Sequence, residues 1–445
     1  MRAGTAAAIA IAGGLATGCP RVGAFECFTN ADCDLGGATG MCIAGACAYE
    51  DPTCESGFQW SPNAPTDPGA CVDVQGTGST TTTTGMLSSS GTSESSSGDP
   101  ASTSTSDTPT CGVQMTVDID TTLLSATSVL PDYPLLLELG QEALVDVDPD
   151  TIFFTAEDST PVPHDRESFD PSTGLLVTWV RLPAWTVGEP LRLVLVAGDA
   201  ASVPDSAPAE VWSSTYLGVW HLGDALEDSD GEVIRNAIAS GGHGFAFGDI
   251  GPDQSVQGAI GSALLFDGDD DYVEVAAPFI GTLQTFTVTY WSSWDGGVEQ
   301  GGYFTRLNGE HLFPRCWRID TTANPFCQLH SGEDVVGVGG GADDVAPGEL
   351  VHMAYSWDGE VATVYFAGVV EDTNEMYPGA MPLGDTNPMM IGREVEFGSF
   401  NGMMDEFRVS DRALPAEWIA ADFRTQSNPS NAVLAVGPVQ SRPCE

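Results

Sequence analysis

From residue 111 onward, apolar positions come in short runs separated by Pro/Gly turns, the pattern of strands rather than of long helices. Pro134-Leu135-Leu136-Leu137-Glu138-Leu139 reads as a buried strand and Thr151-Ile152-Phe153-Phe154-Thr155 as another. Leu175-Leu176-Val177-Thr178-Trp179-Val180 and Leu191-Arg192-Leu193-Val194-Leu195-Val196 follow. Phe286-Thr287-Val288-Thr289-Tyr290-Trp291 alternates with period two, as a half-buried strand does. Residues 351–357 and 361–366, joined through Asp358-Gly359, predict a hairpin with a type I′ turn. Arg412-Ala413-Leu414-Pro415-Ala416-Glu417-Trp418-Ile419 predicts a short helix with Pro near its start.

The first hundred residues follow other rules. Arg2 and the free amine make a positive start, and residues 6–16 form an apolar run too short to span a bilayer. Residues 1–18 are therefore expected to be an export signal. The sequence Leu15-Ala16-Thr17-Gly18-Cys19 resembles the bacterial lipobox, which implies a lipid on Cys19 and anchoring without a membrane span. Residues 19–74 hold Cys27, Cys33, Cys42, Cys47, Cys54 and Cys71 among few large apolar residues, so disulfides are expected to replace a core. Residues 75–110 are rich in Ser and Thr and bury too little to offset ordering, which makes them a flexible linker.

Of the 11 cysteines, setting Cys19 aside leaves an even number, as a disulfide framework requires. Cys111 and Cys444 bracket the β-rich region and are expected to tie its ends, and Cys316 and Cys327 to close a hairpin. Charge adds an exclusion. Fourteen basic residues, all Arg, face 63 acidic ones for a net −49. Such a surface repels phosphate backbones, so nucleic acid is not an expected partner. The absence of Lys also removes Schiff-base chemistry and a phosphate-loop lysine.

Two resemblances organise the β-rich region. Residues 111–206 carry Phe153-Phe154-Thr155-Ala156-Glu157-Asp158, Val162-Pro163-His164, Trp179-Val180-Arg181-Leu182-Pro183 and Leu193-Val194-Leu195-Val196-Ala197-Gly198-Asp199. Their order resembles a small β-domain of unknown function that precedes lectin-like domains in bacterial and archaeal surface proteins. Residues 207–435 carry Gly218-Val219-Trp220-His221-Leu222, residues 261–268, Asp271-Tyr272-Val273-Glu274-Val275 and residues 400–409. Together these resemble a laminin-G-like, concanavalin-A-like jelly roll. The resemblance implies two curved antiparallel sheets and a role in binding glycans, proteins or divalent cations, or as a spacer. Residues 436–445 are expected to be a tail. The expected class is thus all-β: a jelly-roll sandwich, a smaller β-sandwich and a disulfide-rich N-terminal module.

Candidate chemistry is sparse. Asp228-Ser229-Asp230-Gly231-Glu232, with Asn236 close by, suits a structural Ca²⁺, and the resemblance implies that this segment can contribute to such a site, although the Asn is displaced from its place in the related domains. The resemblance brings Asp405 toward the same site. The run Asp267-Gly268-Asp269-Asp270-Asp271 reads mainly as a turn. Asp405 and Glu406 are adjacent, so on a regular strand they face opposite sides, and no catalytic acid pair is expected. Trp294, Tyr303 and Trp317 are candidates to face a ligand. The expected protein is a non-enzymatic binder of glycan or surface protein, anchored at the bacterial envelope, on the outer membrane or cell surface. A structural or protein-interaction module and a divergent glycoside hydrolase are the alternatives.

Overall fold

The computed structural model describes residues 40–43, 46–50, 58–60 and 110–443, apart from 126, 205–206, 213–214, 228–230, 239–241, 277–282, 297–300, 309–310, 319–324, 332–333, 340–344 and 376–387. The chain divides into two compact units, Met1–Ser102 and Thr103–Glu445, so the division falls inside the expected linker. In the first unit Gly40–Ile43, Ala46–Glu50 and Phe58–Trp60 form an antiparallel sheet that sets Cys42 opposite Cys47. Positions 19, 27, 33, 54, 71 and 444 lie outside the described residues, as do the side chains of Cys42, Cys47 and Cys111.

Among its described residues the second unit is all-β with one α-helix. Two sheets build its smaller part. One runs Val433–Val436, Thr110–Ile119, Leu191–Ala197, Phe153–Ala156, Pro161–Val162; the other runs Pro134–Gly140, Leu175–Arg181, His164–Asp170. The end of the chain is not a tail. Gln440–Pro443 also pairs with Thr110–Ile119, and Pro443 lies opposite Thr110. That pairing gives the terminal backbone partners it would otherwise lack.

The jelly roll has two larger sheets. The first runs Ser255–Gln257, Ser262–Asp267, Asn401–Ser410, Phe286–Trp294, Leu350–Trp357, Val361–Phe366, Val369–Glu375, with Gly218–Trp220 beside Asn401–Ser410. The second runs Val233–Ile234, Gly244–Phe247, Tyr272–Val275, Met389–Ile391, Gly301–Asn308, His311–Arg318, Pro325–Ser331, Asp334–Gly339. Between them Trp220, Phe266, Val288, Tyr303, Phe304, Ile391 and Phe407 form a buried core. Cys316 and Cys327 stand opposite each other on neighbouring strands and are disulfide-bonded, as expected.

Phe286–Trp294 departs from its alternating sequence, because every residue in it is buried. The cause is a second core. Leu135, Leu137, Tyr133 and Trp179 of the smaller sandwich pack with Ala354 and Tyr365 from the outer face of the first sheet and with Trp418 and Ile419 of the helix. That helix, Ala416–Ser427, starts after Pro415 and lies across the same face. Its Arg424 donates to the carbonyls of Leu123 and Leu124, and its Trp418 ring meets Tyr133 at 5.0 Å.

The 350–366 hairpin forms with its turn one residue further on than expected. Asp358 N donates to the Val361 carbonyl, and Gly359 adopts φ +101° at the first central position. Glu360 is not left-handed, so the turn is the Gly-first type rather than type I′. The Asp358 carboxylate closes it by accepting from Glu360 N and Val361 N.

Candidate functional site

Because the smaller sandwich and the helix cover one jelly-roll sheet, the outer face of the other sheet is the open one. Gly244–Phe247 and Tyr272–Val275 alternate along it: Ala246, Val273 and Val275 point to the core, while Phe245, Phe247, Tyr272 and Glu274 point outward. Register sets Phe247 opposite Tyr272, and their rings stack at 5.2 Å and 19°. The Arg393 guanidinium lies 4.9 Å from the Tyr272 ring centre, and Phe245 is 38% exposed on the same strip. This is a partly wet platform of apolar rings with one fixed cation.

The acidic loop joins this platform. Asp267, Asp270 and Asp271 each offer a carboxylate oxygen, all within 4.8 Å of one another. Asp271 is buried; its Oδ2 accepts from Asp267 N, and its Oδ1 has no hydrogen-bond partner. A Cβ on Gly248 would stand 2.6 Å from that oxygen, so glycine leaves room there. Burial lifts the Asp271 carboxyl to about 6, with Asp267, Asp270 and Asp249 adding repulsion. Closely spaced hard oxygens with one bare and buried fit Ca²⁺.

The calcium set expected from sequence does not assemble among the described residues. Asp228 and Asp230 lie outside them. Asn236 is buried and spent on the backbone: its Oδ1 accepts from Val219 N and Ile238 N, and its Nδ2 donates to the Gly242 carbonyl. Asp405 Oδ2 accepts from Ile260 N.

Trp294, Tyr303 and Trp317 are all buried and do not face a ligand. Trp294 packs against the Arg318 guanidinium, 4.0 Å from its ring. Tyr303 lies in the core against Tyr290 and Phe400. Trp317 has the outward parity, but Phe397 stacks over it at 4.6 Å. The residues 393–399 fold back to provide this cover, tied down by Arg315 to Glu394 and Glu396. Sequence alternation gives facing, and a covering hairpin removes exposure afterwards.

A second group of side chains meets where the smaller sandwich joins the jelly roll. Strand Asn401–Ser410 is bulged there. Thr289 pairs with Arg408 and Trp291 with Asp405, so Glu406 and Phe407 together oppose Tyr290. Glu406 takes φ +54°, in the left-handed region. The bulge breaks alternation and brings the carboxylates of Asp405 and Glu406 into one electrostatic cluster, contrary to the reading of a regular strand.

Glu406 Oε1 lies 2.7 Å from His221 Nδ1, and its Oε2 accepts from Arg408. Glu167 Oε2 is 3.4 Å from the same nitrogen. Asp165 Oδ2 is 3.6 Å from His221 Nε2 and accepts from Trp212 Nε1. Trp179 and Trp212 flank the Arg408 guanidinium at 4.2 and 4.9 Å. Burial alone would depress the His221 imidazolium, but Glu406 and Glu167 outweigh it and hold it well above its usual range. Burial lifts Glu167 to about 7. It also raises Asp405 well above the carboxylate range, with Glu406 adding to the effect. Glu406 itself stays low despite burial, because His221 and Arg408 face it. The sequence offered His221 only as a residue of a strand motif; its partners are 54 and 185 positions away and were not legible.

A groove of about 780 Å³ lies elsewhere, on the smaller sandwich between Pro131, Pro163, Pro183 and Trp185, and none of the expected site residues lines it. Among the described residues no helix is long and apolar enough to cross a membrane.

Residues 267–420 match the family described as the concanavalin A-like lectin/glucanases superfamily. This part of the chain is a lectin/glucanase-like β-sandwich. No curated relative matches the chain. Among solved structures, domain 4 of the extracellular arabinanase AbnA from Geobacillus stearothermophilus, in complex with arabinotriose, aligns at 16% identity and TM-score 0.35, over 47% of this chain and 98% of that one. The botulinum neurotoxin serotype D binding domain aligns at 10% identity and TM-score 0.36, over 48% of this chain and 52% of that one. A Trypanosoma rangeli sialidase mutant with trans-sialidase activity aligns at 11% identity and TM-score 0.36, over 53% and 41%. This chain thus spans about half or less of the two longer structures.

Proposed function

We propose that this is an exported protein, held at the bacterial envelope by a lipid on Cys19, that recognises a glycan or another surface ligand with the open face of its jelly roll. The observation that carries the reading is the Phe247–Tyr272 stack with Arg393 above it, half-buried on the large sheet whose outer face the smaller sandwich and the helix leave uncovered. Sugar rings present apolar C–H faces to such aromatics and hydroxyls to the flanking Arg393 and Glu274. Ca²⁺ at Asp267, Asp270 and Asp271 would fix the loop that leads directly into Tyr272. Binding is favoured over hydrolysis because Asp405 and Glu406 are sealed at the junction, at 0% and 1% exposure, where no sugar reaches them.

The test is a glycan array with the full chain, with calcium and with chelator, followed by titration of any hit. Tyr272→Ala is expected to weaken binding about tenfold, since an aromatic contact is worth roughly 0.5–1.5 kcal/mol. Folded, calcium-loaded protein that binds no glycan would favour a protein ligand on this face. A hit indifferent to Tyr272→Ala would refute the platform.

A further inference from the structure

We propose that His221 Nδ1, Glu167 Oε2 and Glu406 Oε1 form a three-ligand site for a divalent transition ion of the Zn²⁺ class, which fastens the smaller sandwich to the jelly roll. The three ligand atoms lie within 4.8 Å of one another. Two of the separations are 2.7 and 3.4 Å. Atoms each about 2.1 Å from one ion stand roughly 3.0–3.4 Å apart at octahedral or tetrahedral angles, so the 3.4 Å pair already has ligand spacing, while the 2.7 Å pair is a hydrogen bond that opens slightly as the ion replaces its proton. The donor set of one imidazole and two carboxylates suits a borderline ion better than Ca²⁺, which takes oxygen alone.

The surroundings are those of a built site. A metal-bound histidine typically gives its second ring nitrogen to a carboxylate; Asp165 Oδ2, held by Trp212, faces His221 Nε2 at 3.6 Å, just beyond hydrogen-bond reach, and Nε2 has no other partner. Glu406 has its second oxygen fixed by Arg408, so Oε1 is left oriented toward the imidazole. An independent observation supports a cation here. Asp405 is fully buried, its Oδ1 has no hydrogen-bond partner, and its surroundings include Glu406, Glu167 and His221. The His221 side chain remains 20% exposed, so the cluster is not fully closed to solvent. On binding, the ion takes the Nδ1 lone pair and the proton there leaves to solvent.

The ligands explain the fastening role. Glu167 comes from strand His164–Asp170 of the smaller sandwich, whereas His221 follows Gly218–Trp220 and Glu406 lies in Asn401–Ser410, both of the jelly roll. An ion there would resist separation of the two parts.

The experiment uses the full chain, stripped with chelator and titrated with Zn²⁺, Co²⁺ and Ca²⁺ separately. Trp179 and Trp212 flank His221, so tryptophan fluorescence and the visible spectrum of Co²⁺ both read this site. Expected are Zn²⁺ binding that Ca²⁺ does not compete away, and a loss of affinity of about tenfold or more in both Glu167→Gln and His221→Gln. Should either variant fail to fold by circular dichroism, Asp165→Asn, which touches only the group behind Nε2, is expected to lower affinity about tenfold to a hundredfold. Asp271→Asn is expected to leave Zn²⁺ binding unchanged, which separates this site from the acidic loop. Absence of Zn²⁺ binding at 100-fold excess over protein (roughly millimolar) would overturn the proposal. So would Zn²⁺ binding that survives the folded variants, because the ion would then sit elsewhere, such as among the N-terminal cysteines.

Discussion

The two sheets of the jelly roll are built from similar strands, yet their outer faces have opposite fates. On the first sheet the outer face carries Trp291, His352, Arg408 and Tyr365, all buried under the helix and the smaller sandwich. On the second sheet the corresponding face keeps Phe245, Phe247, Tyr272 and Glu274 in contact with solvent. The difference lies in what covers them. A covered face becomes a second core, where each polar group needs a partner; an uncovered one can hold rings for something else to meet.

Three substitutions would break or sharpen that contrast. The largest effect is expected at Arg408→Ala, which leaves Glu406 buried beside His221 without its guanidinium and should cost about 3–5 kcal/mol in urea unfolding. A loss near that of a surface ion pair, under about 1 kcal/mol, would mean that the covered face is wet.

A smaller effect is expected at His352, which sits on the covered face against Trp291 and Phe423. Burial, with Arg408 adding repulsion, depresses its imidazolium to about 3. Below the ordinary histidine range, near pH 6.5, the unfolded chain takes up a proton that the folded one refuses, so acid favours unfolding. Between pH 6.5 and 5 this should remove about 2 kcal/mol of stability. His352→Leu should flatten that limb of the stability profile. Because Glu167, raised to about 7, acts with the opposite sign over this window, the readout is the difference between wild type and His352→Leu, and no difference would place His352 in water. The smallest effect belongs to the open face: Phe245→Ser should shift stability by no more than about 0.5 kcal/mol. A larger loss would show that this face, too, is packed in solution.

Legibility tracked sequence distance. The hairpin at 350–366, the strand at 134–140 and the helix after Pro415 follow from neighbours in the chain, and all are present. The Cys316–Cys327 bridge also spans a short loop. Trp294 and Tyr303 were misread because they belong to the core between the sheets, and Trp317 because alternation reports which way a side chain points and is silent about what folds over it. The bare Asp271 oxygen was not legible because it depends on Gly248, just past strand Gly244–Phe247, which makes room for it.

The sequence by itself determined the class of the structure. Period-two runs broken by Pro and Gly leave strands as the way to bury apolar area, and the ordered motifs from Gly218 to Val409 carry the lectin-like sandwich. Only the tertiary structure decided which face is free and which charges meet. Gln440–Pro443 returns to pair with Thr110–Ile119, the smaller sandwich and helix close one sheet, and the left-handed turn at Glu406 gathers it with Asp405, Glu167 and His221. The physical reason is that burial and long-range Coulomb contact depend on positions far apart in the chain, while hydrophobic period is a property of neighbours.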